Sequence, residues 1–554
     1  MKPALESSPG NPLAHLPFYY LDNFHRVLDW IGDRYADLLD GEEQAFLAGF
    51  PALPQPSRAL FVRMVMRKGQ LFRASKLQYD EIGCPRAAAA PLADAGWVVA
   101  DPAVTLDELF DLLQKPEICR AFALPAGLKA ARKDAQLEAL RAAHDGARPF
   151  SGWFDGDAAY RIVAKPLCDR LRLIFFGNYH QDWTEFVLSD LGVYRFEKVE
   201  FADAARGFRT RRDIDEYLQL HACRERFGNG EHPADVLHDV PPPGTDNEWL
   251  KSRRDKLLFQ LGQQFEKLRD WAGAHAVYRE CGYPGARARA IRVLEKDERY
   301  GPAWELLQHA LREPESEAER QHLLRMAPRL ARHLGHPRTA AGRLAPPRRL
   351  DLALPQPDGD WWVEGVVRDH LCRDDAPVFY VENALINSLF GLLCWDAVFA
   401  AIPGAFFHPF HHGPADLHSA DFHRRRADRF AACLAQLDDG SYVDTIRHNL
   451  VAKYGISSPF VYWNALDEDL LELALHCIPP AHLKHAFLRI LQDVKANRAG
   501  FPDLIQFWPA ERRYAMIEVK GPGDRLQDNQ LRWIDYCARH DMPVTVCYLQ
   551  WTQQ

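Results

Sequence analysis

Asp503, Glu518 and Lys520 are the residues of this sequence whose types and spacing could do chemistry. Glu518 and Lys520 lie two apart on a segment, Arg513 to Val519, that alternates as a strand does. Tyr514, Met516, Glu518 and Lys520 fall on one face, and Ala515, Ile517 and Val519 on the other. Asp503 opens an apolar run, Leu504 to Trp508, which reads as the preceding strand and is stopped by Pro509. Pairing of the two strands would bring both carboxylates and the ammonium to one strand end. Two carboxylates in a partly buried place repel and must be neutralised. Mg²⁺ or Mn²⁺ does so, because these ions prefer carboxylate, carbonyl and water oxygens. The lysine beside them could hold or polarise a water or a phosphate oxygen, which makes a constellation for metal-assisted phosphodiester hydrolysis. The plainer alternative is a strand-end ion pair of Glu518 with Lys520 and an Asp503 that caps a loop. An acid, a gap and an E-x-K triplet recur often by chance.

The flanking residues narrow the choice. Gly521-Pro522-Gly523 ends the strand, and Asp524 would cap the helix expected from Leu526 to His540. FPDL followed by EVKGPGDRLQDNQ resembles the VRR-NUC nuclease domain, a branch of the PD-(D/E)XK superfamily. Pro502-Asp503 supplies the PD, Glu518-Val519-Lys520 the (D/E)XK, and GPGDRL with Gln530 the branch's own signature. The resemblance implies that Asp503, Glu518 and the Val519 carbonyl hold one or two Mg²⁺ or Mn²⁺ ions. It implies that Lys520 positions or activates the attacking water, with Asp524, Arg525 and Gln530 in support. Gln530 would orient that water or touch the scissile phosphate.

A core of this class needs a further acid from an upstream helix. In VENALINSLFGLLCWD, Glu382 leads a helical stripe of Ile386, Leu389 and Leu393. A charge at the head of a buried stripe is costly unless paired or bound to metal; a helix-start acid favoured by the dipole is the alternative. Its spacing to Gly391-Leu392-Leu393-Cys394-Trp395-Asp396 resembles the Fanconi-associated nuclease pattern, which makes Glu382 a metal ligand. His408, His411, His412 and His418 tempt a zinc reading, but no cysteine or second histidine pair stands at zinc spacing.

At 554 residues the chain needs two to four domains, and 47% hydrophobic with 26% charged residues is a globular composition. The net charge of −8 argues against a polycation that coats nucleic acid, though local basic clusters remain open. Eleven scattered cysteines without a CxxC pair give no zinc ribbon or disulfide framework and suit a reducing compartment. The start lacks a signal-peptide core. The apolar run Ala384 to Phe407 is interrupted by Asn387, Ser388, Asp396 and Pro403 and reads as buried helix, not a membrane span.

Residues 1–16 read as a flexible leader. From Pro17 the spacing of Phe18, Leu21, Phe24, Val27, Leu28 and Ile31 is helical. A helix predicted over Ser57 to Phe72 carries Arg58, Arg63, Arg67 and Lys68, with Arg73 and Lys76 just beyond. Such residues around an apolar stripe suit phosphate contact, but for a lone helix a solvated face of a core helix is the favoured reading. YYLDNF and FVRMVMRKGQLFRASKLQYDEIG resemble the N-terminal part of Fanconi-associated nuclease, which favours DNA contact. Arg86 to Ala95 reads as a loop, and Thr105 to Leu124 as two short helices joined at Pro116. A second basic run holds Arg206, Arg209, Arg211 and Arg212, with Arg224 and Arg226 a helix later; Arg424, Arg425, Arg426 and Arg429 form a third. DNA-backbone contact or a solvated helix start fits the third equally. Pro241 to Gly244 breaks the chain. Trp249 to about Leu334 runs helix after helix, with Trp271, Ala274 and Tyr278 spaced as in tetratricopeptide hairpins. His482 to Arg498 is the clearest helix, ended by Gly500, and Val544 to Leu549 a last strand.

These readings give a multidomain, mainly α protein. An N-terminal helical, winged-helix-like DNA-binding region, 17–240, holds a SAP-like module near 100–145. A tetratricopeptide-like scaffold occupies 245–340 and a linker 341–358. A C-terminal α/β restriction-endonuclease-like core fills 359–554. The resemblance is to a bacterial Fanconi-associated nuclease. It implies a monomeric or weakly dimeric metal-dependent nuclease, cytoplasmic at the nucleoid (nuclear in a eukaryote), without membrane attachment. Its substrate would be 5′-flap and branched double-stranded DNA, cut endonucleolytically and 5′ to 3′ in interstrand crosslink repair. Holliday-junction resolution on the same core is the rival activity, and the large N-terminal region weighs against it. A non-catalytic branched-DNA scaffold is the other rival, and the intact Asp503, Glu518 and Lys520 set weighs against that.

Overall fold

The computed structural model describes residues 17–552 apart from 191, 202–204, 243, 245 and 338–346. The leader 1–16 lies outside the described residues. The chain divides into two compact units, Met1–Arg195 with Arg206–Arg211, and Phe196–Ala205 with Arg212–Gln554.

In the first unit the helix Tyr19–Tyr35 buries Leu21, Phe24, Val27, Leu28 and Ile31, the stripe its spacing predicts. The helix expected to reach Phe72 stops earlier, spanning Gln55–Val65. Gly69 turns the chain at φ +86°, a conformation costly for other residues, and Leu71–Arg73 becomes strand β1. Arg73 therefore lies on a strand and points into the protein. Arg86 to Ala95, expected as a loop, is the helix Pro85–Asp94. Proline costs nothing in a first turn, and the alanine run that follows is the best of helix formers. Strands β2 (Val98–Ala100), β3 (Ala103–Val104), β4 (Arg148–Pro149) and β5 (Ala159–Ile162) complete the small sheets. β5 lies between β1 and β2, antiparallel to both, and β3 pairs with β4. The two short helices expected here are Leu106–Leu112 and Lys115–Ala121, but the break between them falls before Pro116, which lies in the first turn of the second.

After the helices Arg211–Gly228 and Pro233–His238, the second unit carries stacked helices, Glu248–Lys267, Trp271–Arg279, Ala286–Lys296, Tyr300–Arg312 and Glu317–His333. Gly262 lets the Tyr278 ring approach so closely that a Cβ there would stand 2.5 Å from it. The segment expected as linker, 341–358, instead contributes strand β6 (Arg348–Pro355). Its alternating Leu350, Leu352 and Leu354 pack on a sheet face, a pattern masked in the sequence by the surrounding Arg and Pro. Strands β7 (Val378–Tyr380), β8 (Leu504–Trp508), β9 (Arg513–Lys520) and β10 (Val544–Thr552) follow, in the sheet order β6-β10-β9-β8-β7. β10 runs parallel to both β6 and β9, and β8 antiparallel to β9 and β7.

The two faces of this sheet are buried differently. Ile517, Val519 and Leu504 pack with Val367 of the helix Val363–Leu371. Tyr514 and Met516 enter the larger core with Phe487, Ile490 and Trp533. Among the described residues no helix is long and apolar enough to cross a membrane. The run from Ala384 forms the buried helices Leu385–Leu393 and Trp395–Val398. The predicted helix His482 to Arg498 is two, Pro480–Gln492 and Val494–Asn497. Asp493 leaves the helical conformation, and its side chain caps the second at the Ala496 N–H.

Candidate active site

The site stands where β9 ends beside the start of β8. Leu504 lies opposite Ile517, so Asp503 comes alongside Glu518. The Val519 N–H donates to Asp503 Oδ2 at 2.8 Å, and the Val381 N–H to the Asp503 carbonyl at 2.8 Å. Glu518 is 0% exposed, Asp503 7% and Lys520 8%, so three ionisable groups share a nearly dry place. Lys520 Nζ is 2.7 Å from Glu518 Oε1. Apart from this ion pair, neither Glu518 oxygen has a hydrogen-bond partner.

Electrostatics show the strain. Burial pushes the Glu518 carboxyl up to about 7, with the Asp503 charge adding to it and Lys520 pulling back. Burial likewise raises Asp503 to about 6, against the Val519 N–H and Lys520; Glu364 and Glu382 push it further up. The donors are all oxygen, and two buried carboxylate oxygens lack hydrogen bonds. That donor set fits a hard divalent cation, which would remove the desolvation cost and the repulsion together.

Glu382 stands close enough to act on both carboxyls, but its local setting differs from the expectation. The helix begins at Leu385, so Glu382 lies exposed on the preceding turn and not at the head of a buried stripe. Its carboxylate accepts from the Tyr380 hydroxyl at 2.5 Å and the Asn383 side-chain amide at 3.2 Å. Among the described residues no three acid, histidine or cysteine side chains are already gathered as a metal cage. Asp524 does not cap the helix. It closes a turn by accepting from the Gly521 N–H at 3.0 Å, because Gln527 fills the cap position of the helix Asp528–Arg539. Gln530 Oε1 accepts from the Gln527 N–H at 2.8 Å, which places this glutamine in the capping box. Arg525 is exposed. Sequence reasoning missed Glu364, in the first turn of Val363–Leu371, because nothing in the local sequence links that turn to Asp503.

The basic residues fare unequally. In the first unit Arg73 is buried in ion pairs with Glu117 at 2.7 Å and Asp157 at 2.9 Å, and so is part of the interior. Arg63 pairs with Glu81 and lies over the Tyr20 ring. Arg206 meets Asp37, and Arg211 meets Glu43 and Asp40. Arg67 is exposed and donates to the Lys76 carbonyl, and Lys68, Lys76 and Arg209 are exposed as well. In the second unit Arg212 lies against Gly244. Arg425 and Arg426 both converge on Asp416, and Arg424 is 82% exposed. Arg425, expected at DNA, is thereby committed to an internal pair.

Three family models match the chain. They are "FAN1, HTH domain" over residues 18–99, "Fanconi anemia-associated nuclease SAP domain" over 103–153 and "VRR-NUC domain" over 438–551. The chain is 56% identical over 544 residues to the Fanconi-associated nuclease 1 homolog of Pseudomonas aeruginosa, covering 98% of this chain and 97% of that one. To the homolog of Oryza sativa it is 24% identical, over 97% of this chain and 63% of the relative. The crystal structure of paFAN1 bound to 2nt 5′flap DNA with gap superposes with a TM-score of 0.92 at 55% identity, covering 100% of both chains. The complex with 1nt 5′flap DNA with gap gives 0.89 at 55% identity, over 97% of this chain and 100% of that one.

Proposed function

The chain belongs to the Fanconi-associated nuclease family, and on that premise we propose that Asp503, Glu518 and Glu382, with the Val519 carbonyl, form the metal centre of a nuclease that incises 5′ flaps. Divalent-metal dependence is general to nucleases of this kind, and this centre would hold one or two Mg²⁺ or Mn²⁺ ions. The observation that carries the reading is Glu518, a wholly buried carboxylate with both oxygens free of hydrogen bonds beside a second carboxylate. When bound, such ions neutralise charge on the scissile phosphate and lower the pKa of an attacking water.

The chain's own residues do the rest. The Val519 N–H fixes the orientation of Asp503, and the pairing of β8 with β9 sets its distance from Glu518. Lys520 is held at the mouth of the pair by Glu518. There its ammonium orients water and stabilises charge that grows on a phosphate oxygen as the bond breaks. Gln530, tied to Gln527, stiffens the start of the helix after the corner. Exposed Lys68, Lys76, Arg209 and Arg424 are the proposed phosphate contacts, which makes binding fall with salt. The relatives' names and the flap DNA in the related crystal structures support a 5′-flap DNA substrate; cutting as a 5′-flap endonuclease and 5′–3′ exonuclease in crosslink repair is the proposed extension from the family resemblance.

The test is cleavage of a labelled 5′-flap duplex in Mn²⁺ or Mg²⁺ by wild type and Asp503→Ala. Incision near the junction that disappears in the variant, with flap binding kept, is the expected result. Binding without any cutting by wild type would make the chain a scaffold. Cutting of four-way junctions alone would make it a resolvase.

A further inference from the structure

Two segments far apart in sequence carry the acids of the site, 380–383 with Glu382 and 498–503 with Asp503. A pair of asparagines ties them together. Asn383 Oδ1 accepts from the Gly500 N–H at 2.8 Å and the Phe501 N–H at 3.2 Å. Its Nδ2 donates to Glu382 Oε1 at 3.2 Å, so one amide group touches both segments. Beneath it Asn387, 0% exposed, donates through Nδ2 to the Asn383 carbonyl at 2.6 Å and the Arg498 carbonyl at 2.8 Å.

The backbone at this point is as particular as the side chains. Asn383 has φ +53°, a left-handed conformation that asparagine accepts better than most residues. Gly500, at φ +97°, lies where a Cβ would meet Asn529 at 2.9–3.0 Å. Phe501 is buried with its ring centroid 3.9 Å from that of Trp533. The 498–503 loop is therefore pinned from the helix side, and Asn383 fixes the Glu382 turn to it.

We propose that Asn383, supported by Asn387, is a positioning residue that sets the Glu382 carboxylate against Asp503 for cation binding. The inference rests on the metal-centre reading above. An outer residue that orients a ligand in this way changes metal affinity about 10–100-fold when removed.

Calorimetric titration of Mn²⁺ into the full chain without DNA tests it, on wild type, Asn383→Gly and Asp503→Ala. Glycine keeps the left-handed backbone and deletes both the accepting oxygen and the donating nitrogen of the side chain. Asn383→Gly should bind Mn²⁺ about 10–100-fold more weakly, melt near the wild-type temperature and recover flap cleavage as Mn²⁺ is raised. Wild-type affinity in Asn383→Gly, with binding lost in Asp503→Ala, overturns the positioning role and leaves the metal centre standing. Undiminished binding in Asp503→Ala sinks the metal centre itself. A rate that stays low at saturating Mn²⁺ means general damage, and it too overturns the inference. Should Asn383→Gly fail to fold, Asn387→Ser removes the support from below, and the same outcomes apply.

Discussion

At the end of β9 two buried carboxylates share one ammonium, whereas around Asp416 two guanidinium groups converge on one carboxylate. Arg426, 0% exposed at its side chain, donates to both Asp416 oxygens, at 2.8 and 2.9 Å. Arg73 in the first unit is treated like Arg426, with two acids around one cation. In these clusters each buried charge is hydrogen-bonded to an opposite charge, although Arg426 Nε has no partner of its own. At Glu518 it supplies an ion pair and a competing acid, and both carboxyls are driven far above their usual range. Burial alone therefore does not mark a site; burial left electrostatically incomplete does.

Neutralising the incomplete cluster should have the largest effect and of opposite sign in two assays. Glu518→Gln is expected to lower flap cleavage by about 10³-fold, the scale of losing one preorganised electrostatic group. The same variant should raise the melting temperature of the cation-free protein at pH 8, by removing one of two repelling charges. A fall in both would place Glu518 among the completed clusters. Arg73→Met breaks a completed cluster and should cost about 3 kcal/mol in denaturant unfolding while leaving the salt slope of DNA binding unchanged. Unchanged stability with a shallower slope would instead make Arg73 a phosphate contact.

Titration sharpens the contrast at smaller amplitude. Asp503 and Glu518 ionise near 6 and 7 in the fold, above their ordinary carboxyl range near 4. The folded chain thus holds protons that the unfolded chain has lost. Cation-free stability should fall as pH rises from about 4 through about 6 to 7, and added Mn²⁺ should restore more at pH 8 than at pH 5.5. Thermal melts of wild type and Glu518→Gln across that range isolate the effect; equal slopes in the two would contradict it. The smallest change is expected from exposed Lys68, where Lys68→Ala should reduce the log–log salt slope of DNA binding by about 1 and leave melting alone.

What the sequence made legible follows the same division. The alternation of Tyr514, Met516 and Glu518 against Ile517 and Val519 is a local period, and the structure keeps it. The apolar stripe of Leu483, Phe487, Ile490, Leu491 and Val494 is likewise all buried, although Asp493 breaks the helix beneath it. The burial of Arg73 was not legible, because Glu117 and Asp157 reach it from distant parts of the chain. Nor was the turn at Glu382, whose shape depends on Asn383 meeting the Gly500 and Phe501 amides. The partners, not the periodicity, were missing from a one-dimensional reading.

The strand order also puts the protein on a clock. Among the described residues β6 is an edge strand with only β10 beside it, and β10 is the last of the sheet's strands to be synthesised. At 5–20 residues per second the ribosome needs roughly ten to forty seconds to pass from one to the other. During that interval the newborn chain shows an unpartnered ladder with Leu350, Leu352 and Leu354 along it, the kind of edge that other chains can seize. A nascent nuclease of this topology is thus exposed to chaperones and to its neighbours on the polysome before its carboxylates have a sheet to hold them.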